Sequence, residues 1–154
     1  MKIYVITLAK TFPVRHPKAG EDTYFRWGVE NRYKIHTIRC NVPLWQKRVK
    51  EVEAGKACLS LREWSGKPYN SMQVEIARLT KEDGIGMQIL RNKSIQINDG
   101  KTYADVITPD IGDSVLDASI IARNDGLSLD DWLAWFKGCK DDYLAIIHFT
   151  PFRY

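Results

Sequence analysis

The run YLAIIHFTPF, Tyr143 to Phe152, is apolar on both faces and rich in β-branched and aromatic residues. A strand of that kind must be covered on two sides, which predicts a central strand late in the chain around which the other β-prone segments organise. Lys2 to Leu8 alternates β-branched and aromatic residues and predicts a first strand, followed by the Pro-, Gly- and charge-rich loop TFPVRHPKAGED. ACLSLREW and SMQVEIARLT flank the turn SGKPYN, so a hairpin is the natural reading of Ala57 to Thr80. Leu59 and Leu61 would share its core face, with Ser60, Arg62 and Trp64 opposite. From Glu82 to Asp113, the short runs MQILR and SIQIN alternate with Asp-Gly and Asn-Asp-Gly turns, which predicts short strands.

Helical signals are fewer. Tyr24 to Asn31 predicts a short helix interrupted by Gly28. Pro43 stands at a helix start, Trp45, Val49 and Val52 fall on one helical stripe, and Gly55 closes the segment. Lys47, Arg48 and Lys50 lie off that stripe and read either as a solvated face or as phosphate contacts. Ser128 and Asp131 have the spacing of a helix cap, with Leu129, Trp132, Leu133 and Phe136 as the stripe behind it. Strands and short helices without βαβ alternation predict an α+β fold.

At 154 residues and 44% hydrophobic, the chain supports one substantial core, and residues 1–154 read as a single domain. Twenty-three basic against 19 acidic residues leave a net charge of +4, compatible with an anionic partner and short of a nonspecific nucleic-acid coat. Cys40, Cys58 and Cys139 are widely spaced, with no CxxC and no histidine at ligand spacing, so they read as reduced thiols. No segment reads as a membrane span or a secretion signal, so a cytoplasmic protein is expected. Nothing in the sequence sets an oligomeric state.

The hexapeptide KIHTIR, Lys34 to Arg39, puts an amine, a hydroxyl and a guanidinium within six residues. Side chains alternate faces along a strand, so Lys34 and Thr37, three apart, cannot share a face of a regular one. Lys34 is therefore expected in the turn before a strand in which Ile35, Thr37 and Arg39 point one way and His36 and Ile38 the other. On that geometry His36 reads as a structural histidine, as does His148 in the late apolar run. Cys40, next to Arg39, reads as an inert thiol, because no histidine is placed to activate it.

The segment resembles the G-x-K-x-x-x-x-R signature of the ASCH family in the PUA-like superfamily. Lys34 and Arg39 match, and Arg32 stands at the glycine position. The resemblance implies a PUA-like mixed β-barrel with flanking short helices. It also implies a site: within the family, small bacterial amidohydrolases use a threonine three residues after the lysine and a glutamate in a later segment leading into a helix. Here these correspond to Thr37 and, in ARNDGLSLDDW, to Asp125, one methylene shorter than glutamate.

The function so implied is binding of RNA or of a modified nucleoside in a cleft formed by Lys34, Thr37, Arg39, Arg62, Trp64 and Asp125. The alternative is hydrolysis of an acylated exocyclic amine, with Lys34 as base, Thr37 as nucleophile, Asp125 as acid and Arg39 as charge stabiliser, needing no metal and no cofactor. Arg39 reads equally as an ion-pair partner of Asp125 or Glu75 and as a phosphate anchor. Arg62, Trp64, Lys67 and Tyr69 gather cationic and aromatic groups near one hairpin tip, suited to stacking a base, although Trp64 also reads as a packing residue. A third possibility is a protein-interaction module in which the polar motif only stabilises the fold.

Overall fold

A computed structural model describes residues 1–154. In chain order the elements are β1 (Lys2–Thr7), α1 (Phe25–Glu30), β2 (His36–Arg39), α2 (Val42–Glu53), β3 (Ala57–Trp64), β4 (Gln73–Leu79), β5 (Gly86–Asn98), β6 (Lys101–Thr108), β7 (Gly112–Asp117), α3 (Ala118–Asn124), α4 (Leu129–Phe136) and β8 (Tyr143–His148). The fold is α+β, with one sheet ordered β1-β3-β4 and a second ordered β2-β8-β5-β6-β7.

The late apolar run is interior to the larger sheet. β8 pairs antiparallel with β2 on one side (His36 opposite His148) and with β5 on the other (Arg91 opposite Tyr143). Leu144 to His148 are all buried, as a strand apolar on both faces requires. α2 packs against β3, β5 and β8 and so ties the two sheets together. Its buried stripe is Trp45, Val49 and Val52, and each such side chain contributes about 1.5–3 kcal/mol by leaving water. Asn41 caps the helix by accepting from the Leu44 amide at 3.3 Å. Of the cations off the stripe, the Arg48 guanidinium lies over the Tyr4 and Trp45 rings.

The strands form two separate sheets, and neither closes into the mixed β-barrel that the resemblance implies. Between β1 and β2, edge strands of the two sheets, Arg39 Nη2 donates to the Thr7 carbonyl at 2.8 Å. The 57–80 hairpin forms, with a bulge opposite Leu61 and Arg62 that leaves Ile76 outside the register. MQILR and SIQIN join into one long strand, β5. Its register to β6 slips between Arg91 and Gln96, and Ser94 Oγ fills the gap by donating to the Arg91 carbonyl and accepting from the Asp105 amide. Asp99 and Gly100, both at positive φ, then make the two-residue hairpin turn to β6.

The helix α3 has no counterpart in the sequence reading. It begins at Asp117, whose carboxylate accepts from the Ser119 amide at 2.9 Å, and it delivers Asp125 at its C-terminal end. α4 starts as the spacing predicts, with Ser128 Oγ accepting from the Asp131 amide at 3.2 Å. No helix is long and apolar enough to cross a membrane.

Candidate functional site

Lys34 lies in the turn before β2, and its buried side chain is shaped by two glycines. Its amide donates to the Gly28 carbonyl at 3.0 Å. A β-carbon at Gly28 would stand 3.1 Å from Lys34 Cβ, and one at Gly126, where φ is +82°, would stand 3.2 Å from the same atom. Close approach from both sides therefore depends on the missing β-carbons. Lys34 Nζ lies 4.2 Å from the Phe25 ring centre and donates to Asp125 twice, to Oδ1 at 2.6 Å and to the backbone carbonyl at 2.7 Å. Both partners of this ion pair are buried.

Thr37 and Arg39 share the other face of the strand, as alternation predicts. Arg39 Nη1 donates to Thr37 Oγ1 at 3.1 Å and to the Ile38 carbonyl at 3.1 Å. The guanidinium makes no ion pair with Asp125 or Glu75. Its Nη1 and Nη2 donate to Thr37 and to backbone carbonyls, while Glu75 binds Ser60 and Arg78. Lys34, Thr37, Arg39 and Asp125 all line one cavity of about 200 Å³, walled by apolar groups that include Phe25 and Trp135. An apolar cavity of roughly 150 Å³ is known to hold benzene, so this volume suits one substituted ring rather than a polynucleotide strand.

Burial pushes the Lys34 ammonium below its usual range, and the Arg39 guanidinium adds to the effect; together they outweigh the pull of Asp125. Burial alone would raise the Asp125 carboxyl, but Lys34 and His36 hold it below the ordinary carboxylate range. The Lys34 and Arg39 cations thus line the cavity together with one carboxylate, that of Asp125. The cavity is prepared for an electron-rich oxygen or for negative charge that develops during a reaction.

The hairpin residues Arg62 and Trp64, expected in the same cleft, do not line this cavity. At the bulge, Arg62 turns to Ser60, donating from Nε to Oγ at 2.9 Å, and reaches Gln73 Oε1 at 3.5 Å. Gln73 Nε2 in turn donates to Thr7 Oγ1, so Arg62 meets the Arg39 network only through β1. Trp64 and Tyr69 pack their rings at 5.1 Å, with Tyr69 88% exposed in the turn beyond β3 beside Lys67. None of Arg62, Trp64, Lys67 and Tyr69 lines the cavity.

No family model, curated protein or solved structure matches this chain.

No group of three or more His, Cys, Asp or Glu side chains is arranged to hold a metal ion. Several residues of the site have no place in the sequence reading. Phe25 and Trp135 wall the cavity, and Thr7 anchors Arg39. Gly28 and the Asp125-Gly126 pair carry a local signal, since glycines flanking a lysine and a carboxylate mark close backbone approach. Thr7 carries none, because its contribution is a backbone carbonyl.

Proposed function

We propose that the cavity binds the base of a modified nucleoside and hydrolyses an acyl group from its exocyclic amine without a metal. The observation that carries this reading is the convergence of Lys34, Thr37 and Arg39 of one hexapeptide with Asp125, 91 residues on, at one cavity sized for a single substituted ring. The resemblance to the ASCH family adds support. Arg32, at the glycine position of that pattern, has φ +57°, so the backbone meets a demand that glycine ordinarily serves. On this reading the two sheets are an open version of a PUA-like barrel, joined by Arg39 at Thr7.

The resting Lys34–Asp125 ion pair interconverts with a neutral amine and carboxylic acid when one proton crosses the 2.6 Å between Nζ and Oδ1. Net charge is unchanged, and burial favours the neutral form more than water would. Thr37 Oγ attacks the acyl carbon while its proton passes to Lys34 Nζ. Arg39 balances the charge that grows on the carbonyl oxygen. The C–N bond then breaks, the departing amine takes the Asp125 proton, and the ion pair is restored. A second pass, with water in place of the threonine hydroxyl, hydrolyses the Thr37 ester and frees the acid.

Release of cytidine from N4-acetylcytidine by the purified protein tests this. Turnover in the wild type with a loss of about 100-fold or more in Thr37→Ala and Lys34→Ala is the expected outcome. Absence of turnover in the wild type overturns the hydrolytic reading. A second reading, binding of RNA or a modified nucleoside without cleavage, draws on the packed pair of half-buried Trp64 and exposed Tyr69 near Lys67. It predicts salt-dependent RNA binding that falls in Trp64→Ala and is untouched in Thr37→Ala. A protein-interaction module would show neither turnover nor RNA binding.

A further inference from the structure

The face of β2 opposite Thr37 and Arg39 carries His36, which no step above uses. His36 is 0% exposed. Its Nε2 lies 2.6 Å from Tyr154 Oη, and that oxygen accepts from Asn124 Nδ2 at 3.1 Å. Its Nδ1 has no hydrogen-bond partner, yet it lies 3.7 Å from Asp125 Oδ1, the oxygen that Lys34 holds. The remaining neighbour with a titratable ring is His148 of β8, edge-on at 5.4 Å, whose own Nε2 is engaged with Gln88 Oε1 at 2.9 Å.

These contacts favour one tautomer. With the Asn124 amide donating to its oxygen, Tyr154 has its own proton to give to His36 Nε2. An imidazole that accepts at Nε2 carries its proton at Nδ1, facing the carboxylate. The reverse tautomer would aim a lone pair at Asp125. Burial pushes the ring below its ordinary range against the pull of Asp125, so it is neutral and holds one N–H. At 3.7 Å that N–H stops short of a hydrogen bond. A buried donor with no partner, aimed at a carboxylate that another residue holds, is a second seat for that carboxylate.

We propose that His36 is the positioning residue of Asp125: Tyr154 fixes it as the Nδ1–H tautomer, and that N–H takes the carboxylate as Lys34 is drawn toward substrate. Lys34 and His36, two apart, thus reach the same oxygen, while Thr37 and Arg39 face the substrate. The inference rests on the reading of Lys34 and Asp125 as an acid–base pair, and its test is chosen so that the two fail separately.

The first readout needs no turnover. Nitrogen-15 NMR of the His36 ring is expected to report the Nδ1–H tautomer in the wild type and a shift toward Nε2–H in Tyr154→Phe. A wild-type ring protonated at Nε2, or a tautomer that Tyr154→Phe leaves unmoved, overturns the proposal. Absence of turnover in the wild type counts against the hydrolytic reading alone, and the tautomer still decides this one. With turnover, Tyr154→Phe is expected to lower kcat about 10-fold with KM unchanged. His36→Asn, which keeps an N–H near the Nδ1 position, is expected to retain most activity, whereas His36→Leu loses about 100-fold. Equal losses in these two variants, both folded by circular dichroism, also overturn it.

Discussion

Arg32 and Lys34 sit two residues apart and carry different kinds of cost. At Arg32 the left-handed backbone is expensive for any residue with a β-carbon. Arg32→Gly is expected to stabilise the fold by about 0.5–1 kcal/mol net of the added chain entropy, seen as a higher urea midpoint at unchanged slope. At Lys34 the cost appears when the pair is broken. Lys34→Met leaves the buried Asp125 uncompensated and is expected to destabilise by about 3–5 kcal/mol. The double variant Lys34→Met/Asp125→Leu should lose less than Lys34→Met alone, and additive losses in urea denaturation would refute the coupling. Strand alternation made the shared face of Thr37 and Arg39 legible in the sequence, along with the turn position of Lys34. The meeting of Lys34 with Asp125, 91 residues away, was not legible from composition or spacing. Only resemblance to a family suggested it, because such a contact is set by how α3 docks.

Elements whose signals are local were legible, and those that depend on partners were not. The stripe of α2, the cap of α4 and the Asp99-Gly100 turn each follow from a few adjacent residues. α3 was missed although the Asp117 cap was present, because the β-branched pair Ile120 and Ile121 weakens the helical signal of a seven-residue segment. That helix and the Gly126 corner set the depth of Asp125, which gives an element-scale test. Gly126→Ala meets both the strain of φ +82° and the Lys34 side chain, whereas Gly100→Ala meets the strain of φ +75° with nothing within 4 Å. Strain alone costs about 1–2 kcal/mol in either variant. Gly126→Ala is therefore expected to lose more stability than Gly100→Ala in parallel urea titrations, and to be the variant of the two that impairs turnover. Equal losses would mean that the corner yields without disturbing Lys34.

Beyond the hairpins, the long-range pairing of strands left no trace in the sequence: β1 lies parallel to β3, some fifty residues on, and β8 reaches back to β2. What that assembly does is bury ionisable groups together, so its signature is a pH dependence. His148 is pushed down to about 2 by burial, with His36 and Arg153 adding to the effect, and His36 is lowered in the same direction. In the unfolded chain both rings take up a proton below about pH 6.5, while in the fold they stay neutral. The unfolded state then binds more protons, so stability falls as the pH drops below 6.5. For His148 the window runs from 6.5 down to about 2, at a slope of about 1.4 kcal/mol per pH unit once the unfolded ring is fully protonated. Asp125 acts lower: its folded value is depressed, so its contribution is present above the unfolded value and is lost as the pH falls through the folded one. Urea denaturation at steps between pH 7 and 5 should therefore show a steepening loss attributable to the two histidines before the carboxylate titrates. His148→Gln keeps a donor for Gln88 and cannot be protonated. It is expected to be less stable than the wild type at pH 7, yet to lose stability more slowly below pH 6, by up to one proton's worth of slope. Parallel curves for the two proteins would mean that His148 takes up its proton in the fold as readily as in the unfolded chain, and that the core between β2 and β8 is open to water.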